Sequence, residues 1–201
     1  MYSNIIQIVK YGQETFLETN RLEAFYDAII AIIVTVLVLE LPQPETATLA
    51  GISALKISYF TYLVSFLVCA NLWQYHHLIY AHVEKIDSKI IWLNIFLMFV
   101  ISLIPYLTIF VANNPNSLLS ESLYGLDFIL IYIILFIMSR YLIKINADDE
   151  YLPSVLDLKN AIIIPLIFLI IGFIIGFLGH PIAISIVCLI LIIRSILHSI
   201  R

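Results

Sequence analysis

Six long apolar runs limit this chain more than any other feature. They cover residues 25–41, 55–75, 90–111, 126–145, 161–178 and 181–197. A helix that crosses the hydrocarbon layer needs roughly 20 mainly apolar residues, so each run reads as one span. Lipid offers the backbone no hydrogen-bond partner, which leaves helices and closed barrels as the only spanning structures. No run alternates polar and apolar residues with period two, so a barrel is excluded. The expected fold class is an all-α integral membrane protein, a single six-span domain over residues 1–201. Composition agrees: 62% of residues are hydrophobic and 12% charged, whereas soluble domains sit near half apolar. Pro42 and Pro44 close the first run, Asn113-Asn114-Pro115 turns the chain after the third, and Gly179-His180-Pro181 is a tight hairpin before the sixth.

The net charge of −4 argues against a nucleic-acid partner. Cys69 and Cys188 lie in apolar runs and suggest neither a disulfide nor a zinc site. Residues 1–20 are largely polar, so no cleavable signal peptide is expected. Lysines and arginines set the orientation. With the N-terminus inside, the inner ends hold Lys10, Arg21, Lys85, Lys89, Arg140, Lys144, Lys159, Arg194 and Arg201, and the outer ends hold only Lys56. Both termini are therefore expected in the cytoplasm, with the protein multi-pass in the cell membrane. The loops are short, which places function within the helices or at their mouths.

The first run reads RLEAFYDAIIAIIVTVLVLELP from Arg21 to Pro42. At 100° per residue, Ile32, Thr35, Val36 and Leu39 share one stripe, which Phe25 and Ala28 extend toward the inner end. Threonine in a membrane helix commonly bonds its own i−4 carbonyl, so Thr35 alone does not make the stripe a pore. Asp27 points away from the stripe. A carboxylate near the hydrocarbon costs roughly 2.5–3.5 kcal/mol on insertion scales and needs a partner. Glu23 already suits the helix dipole, and Arg21 lies about 240° around the helix from Asp27. The partner is expected from another helix at the same depth. There the second run offers Trp73, His76, His77 and His82, and the third offers Asp87 and Asn94. Of the two adjacent histidines only one can face Asp27, and His77 is the expected one. The histidines do not converge on one face, so no metal site is expected.

Gly172 and Gly176 form a G-x-x-x-G that suits close packing on the sixth span. Glu40, Glu45 and Glu121 fall toward the outer side. Glu45 and Glu121 read as solvated loop residues, and a pore on the stripe would make all three a negative mouth. Asp148-Asp149-Glu150 reads as a solvated inner loop. The chain has no TVGYG-like filter, Walker motif, arginine-rich voltage sensor or nucleophile elbow, and no internal duplication.

Arg21-x-x-x-Phe25-Tyr26-Asp27, followed by AIIAIIVTVLVLELP, resembles the R-x-x-x-F-S-D signature of the transmembrane protein 175 family of potassium channels, in its bacterial branch. The W-x-x-H-H-L of Trp73 to Leu78 and the WLNIFLMFVISLIPYLT of Trp92 to Thr108 are similar to that family's second and third spans. Over the second half of the chain the likeness is one of span count and topology. The resemblance implies a homotetramer whose first helices line a potassium-permeable pore with no re-entrant filter. It assigns the constriction to Ile32, Val36 and Leu39 and a selectivity contribution to Thr35. Arg21, Phe25, Asp27, Trp73, His76, His77 and Asn94 become a structural network that fixes the pore helix. No cofactor is implied; the partners are further copies of the chain, potassium ions and the bilayer. Tyr26 stands where the family has serine, Ala28 where glycine is frequent and Val36 where leucine is common, so a wider middle ring is expected.

The leading expectation is therefore a passive potassium-permeable channel, not an enzyme. A proton channel or proton-coupled transporter titrating Asp27 and His77 is the alternative. A metal-dependent membrane enzyme built on the histidines is a third.

Overall fold

The structure is a computed structural model. It describes the backbone of residues 2–199 and the side chains of residues 19–198. Lys10 and Arg201, both counted in the charge asymmetry, lie outside the described side chains. The described residues are helical apart from turns and short connections. In chain order the helices are α1 (Tyr2–Leu39), α2 (Leu49–Ala54), α3 (Lys56–Tyr80), α4 (Ser88–Ile101), α5 (Ile104–Asn113), α6 (Leu118–Ile145), α7 (Leu152–Leu156), α8 (Ile164–Phe177) and α9 (Ala183–Ser199), with a π-helical turn at Lys159–Ile163.

Among the described residues, four stretches are long and apolar enough to cross a membrane: Thr19–Leu39, Ser88–Asn113, Leu118–Ile145 and Leu152–Phe177. The second expected span forms α3, whose 25 residues are long enough. Its apolar run is diluted by Ser58, Thr61, Ser65, Asn71 and Gln74. The sixth forms the shorter α9, of 17 residues.

Two expected spans are interrupted, each just before a proline. Pro105 has no N–H to offer the Ile101 carbonyl, and the third span divides there into α4 and α5. Pro165 likewise cannot bond Ala161. The chain ahead of it widens into the π turn, closed by the Ile164 N–H donating to the Lys159 carbonyl. The fifth span thus starts earlier than residue 161, with α7 as a first short piece.

The fourth span also differs from expectation. Its helix begins at Leu118, two turns before residue 126. Glu121 is consequently a helical residue with no exposed surface, not a solvated loop residue. Its Oε2 accepts from the Ser185 amide at 3.2 Å and the Ser185 hydroxyl at 2.8 Å. The hairpin before α9 brings Ser185 there, so a carboxylate that looks peripheral in the sequence becomes a tie between helices.

The bundle is assembled around α3 and α6. α3 packs against α1, α5 and α9, and α6 against α4, α5 and α8. Ser65 joins the two at the centre, bonded to the Thr108 hydroxyl at 2.6 Å and the Tyr124 hydroxyl at 2.7 Å. α8 and α9 are close-packed through the G-x-x-x-G face. A Cβ on Gly172 would lie 3.2 Å from a Val187 methyl, and one on Gly176 3.3 Å from Ile184. Cys69 and Cys188 are buried and free.

The loop between α3 and α4 is pinned from Lys85 to Asp87. Asn146 accepts from the Lys85 amide at 2.8 Å and donates to the Lys85 carbonyl at 3.0 Å. Lys85 Nζ reaches Asp148 at 2.7 Å. Asp87 then caps α4, accepting at Oδ1 from the amides of Lys89 (3.0 Å) and Ile90 (3.1 Å) and at Oδ2 from the Tyr141 hydroxyl at 2.6 Å. Partial burial works to raise the Asp87 carboxyl, but these donors outweigh it and hold the group below its ordinary value. A depressed carboxylate stabilises the fold above its unfolded value and loses that contribution as pH falls through the folded one. Asp87→Ala should cost about 1 kcal/mol at neutral pH, as the loss of an N-cap does. Paired thermal melts check this: the gap between wild type and variant should close below the ordinary Asp value of 3.8. A gap independent of pH would contradict a contribution from the carboxylate's charge to the cap.

Candidate pore-lining helix and its polar anchor

Among the described side chains of α1, Thr19, Leu22, Tyr26, Ile30, Ile33 and Leu37 are buried. Their i, i+4, i+7 spacing marks the face that packs on the bundle. The stripe picked out by helical phase is mostly turned outward in the single chain. Ile32 is 61% exposed, Leu39 80% and Phe25 53%. Thr35 and Ala28 are also exposed, while Val36 is half-buried. The Thr35 hydroxyl donates to the Ile32 carbonyl at 2.7 Å, an i−3 bond within the helix.

Polar and aromatic contacts hold the other face at one level of the bundle. Trp73 Nε1 donates to Asp27 Oδ1 at 2.9 Å. His77 Nδ1 lies 2.7 Å from Glu23 Oε1, an ion pair when the ring is protonated. These contacts are rungs of one antiparallel ladder: Glu23 and Asp27 are one turn apart on α1, and Trp73 and His77 one turn apart on α3. One turn forward on α1 matches one turn back on α3, the mark of an antiparallel register. The Trp73 and His77 rings are also near-parallel, at 7°.

Behind the ladder lies a buried layer. The rings of Tyr26 and His76 stack 3.5 Å apart and 3° from parallel, and Tyr80 lies against the same imidazole at 4.4 Å. His76 Nε2 is 3.0 Å from Asn94 Oδ1. Tyr26, His76 and Asn94 are all buried and join α1, α3 and α4.

The expected pairing of Asp27 with His77 is not formed. Trp73 takes Asp27, and His77 sits one turn further along, opposite Glu23. Within the expected network, Asp27, Trp73, His76, His77 and Asn94 all lie at this level. Arg21 and Phe25 are exposed and stand apart from these bonds in the single chain. Two further members join this level: Glu23, whose position in the sequence suits the helix dipole, and Tyr26, which stands where the family has serine. The signal for Tyr26 was its place in the i, i+4, i+7 series with Leu22, Ile30 and Ile33.

The chain is 30% identical over 166 residues to a potassium channel of Chryseobacterium sp. (strain P1-3), covering 83% of this chain and 86% of that protein. The family model described as endosomal/lysosomal potassium channel TMEM175 matches residues 21–105. The chain belongs to the TMEM175 family. Its fold is similar to the crystal structure of a lysosomal potassium-selective channel TMEM175 homolog from Chamaesiphon minutus, with a TM-score of 0.78 and 25% identity over 90% of this chain and 98% of that one. It is also 30% identical over 126 residues to an endosomal/lysosomal proton channel TMEM175 of Danio rerio, covering 60% of this chain and 24% of that protein. The TMEM175 model spans the ladder, the buried layer and the α4–α5 break.

The pairing can be tested by double-mutant cycle. Asp27→Ala and Trp73→Phe should couple by about 1 kcal/mol in thermal unfolding, the net worth of one hydrogen bond. Asp27→Ala with His77→Ala should couple far less. Stronger coupling to His77 would return Asp27 to its sequence-expected partner.

Proposed function

We propose that the chain is a potassium-permeable cation channel acting as a homotetramer, with the exposed stripe of α1 on the symmetry axis. The observation that carries this is the outward exposure of Ile32, Thr35 and Leu39 in the single chain. These side chains face away from their own bundle, on the helix whose opposite face is anchored by Tyr26 and Asp27. The bacterial relative named a potassium channel supports the choice of ion. The subunit is read as six spans, with α3 and α9 as the two less apolar or shorter ones, and with both termini in the cytoplasm.

In this reading, rings of Ile32, Val36 and Leu39 form an apolar constriction that empties of water when closed. Thr35 lies between the rings. Its proton is spent on the Ile32 carbonyl, so its oxygen presents lone pairs to a passing cation. No cofactor takes part. Opening needs a small rotation or splay of α1, which the ladder resists.

The second reading, a proton pathway, draws support from the Danio rerio relative's name. A direct relay between Asp27 and His77 has less support, since each is bonded elsewhere.

Leu39→Ser should raise potassium conductance severalfold and shift the bi-ionic potassium-against-sodium reversal potential toward zero in planar bilayers. Unchanged conductance and reversal potential would remove Leu39 from the pore. Current that follows a pH gradient and ignores the potassium gradient would favour the proton reading.

A further inference from the structure

On the face of α3 away from the ladder lies a cavity of about 270 Å³. Leu72, Tyr132, Leu135 and Val155 supply its apolar wall, and Asn71, Ser195 and Arg194 lie at its polar side. No described side chain of α1 lines it, so it is separate from the proposed pore face.

Arg194 is half-buried there and has no carboxylate partner among the described residues. Its Nη1 donates to the Asn160 carbonyl at 3.1 Å and its Nη2 to Asn160 Oδ1 at 2.7 Å, both neutral acceptors. Asp157 also faces the cavity, but its oxygens are occupied. They accept from Asn160 Nδ2 at 2.9 and 3.2 Å, from the Asn160 amide at 3.3 Å and from His198 Nε2 at 3.1 Å. Asn160 therefore stands between the acid and the base. Asp157 is held in the left-handed region, φ 35°, the only non-glycine residue so placed among those described. Such strain persists only where surrounding bonds over-determine it.

A guanidinium beside apolar surface is costly without a counter-charge, and its planar fork matches a carboxylate or phosphate. Ligand pockets usually run to roughly 300–1,000 Å³, so this one suits a head group and a short apolar body. We propose that the cavity binds an amphiphile with a single oxyanion head, its carboxylate or phosphate on Arg194 and its apolar part along Leu72 and Leu135. A membrane lipid and a soluble amphiphile share this chemistry.

The test uses the full chain in phosphatidylcholine nanodiscs. One arm adds octyl phosphate, with octyl glucoside as the neutral control. The other replaces part of the lipid with phosphatidylglycerol. Thermal stability and retention in native mass spectrometry are read. Wild type should be stabilised by octyl phosphate or by phosphatidylglycerol, and whichever acts names the source. Arg194→Gln should weaken the effect about tenfold or more, as loss of a charge-assisted contact does. Ala161→Phe, which fills the cavity while keeping Arg194, should abolish it. Arg140→Gln, an exposed cation elsewhere, should leave it intact. The proposal is overturned if octyl glucoside stabilises equally, if neither anion acts, or if Ala161→Phe binds as wild type. Should Arg194→Gln fail to fold, Ala161→Phe decides alone.

Discussion

Tyr26 lies flat on His76 at 3.5 Å, and His76 is bonded to Asn94. This buried layer is the constraint on which the rest depends. Rotating or sliding α1, α3 or α4 past one another would break the stack and the His76–Asn94 bond, baring both ends of that bond in a low-dielectric interior. The Asp27–Trp73 and Glu23–His77 rungs fix the same register from the wetter side. One rotational setting of α1 follows. That setting turns Leu22, Ile30, Ile33 and Leu37 inward and leaves Ile32, Thr35 and Leu39 outward.

The two faces of α1 therefore have different chemistry for one reason. The inner face carries tyrosine and carboxylate where α3 meets both, the His76 ring stacking on Tyr26 and Trp73 donating to Asp27. The outer face at Ile32, Thr35 and Leu39 is exposed in the single chain and apolar apart from one hydroxyl already bonded within the helix. A helix anchored on one side and apolar on the other suits a lining element that must tolerate both a wet and a dry passage. The buried tyrosine makes that anchor broader than a serine could, because it adds ring area against the imidazole.

Much of this was legible in the residues. The apolar runs located the helices, and helical phase alone separated the stripe from Asp27. What was not legible was register. Nothing in a single sequence sets how far α3 slides along α1, and a slide of one turn decides whether Asp27 meets His77 or Trp73. Glu121 was misplaced for a related reason. Its neighbours Ser117, Ser120 and Ser122 look like loop, and only the return of α9 supplies the Ser185 donors that let the helix start early. The breaks near Pro105 and Pro165 were readable in principle from the missing N–H groups, but apolar content masked them. Tyr26 shows the converse. Its burial follows the periodicity of its own helix, while its purpose depends on His76, fifty residues away.

Oxidative cross-linking in native membranes tests the central claim that the anchor turns this face of α1 toward other copies of the chain. Leu39→Cys should form disulfide-linked dimers, because its side chain points out of the subunit. Leu37→Cys, only 3% exposed, should not. Cross-linking through position 37 and not 39 would mean that α1 is set at a different rotation and that another face meets the other copies.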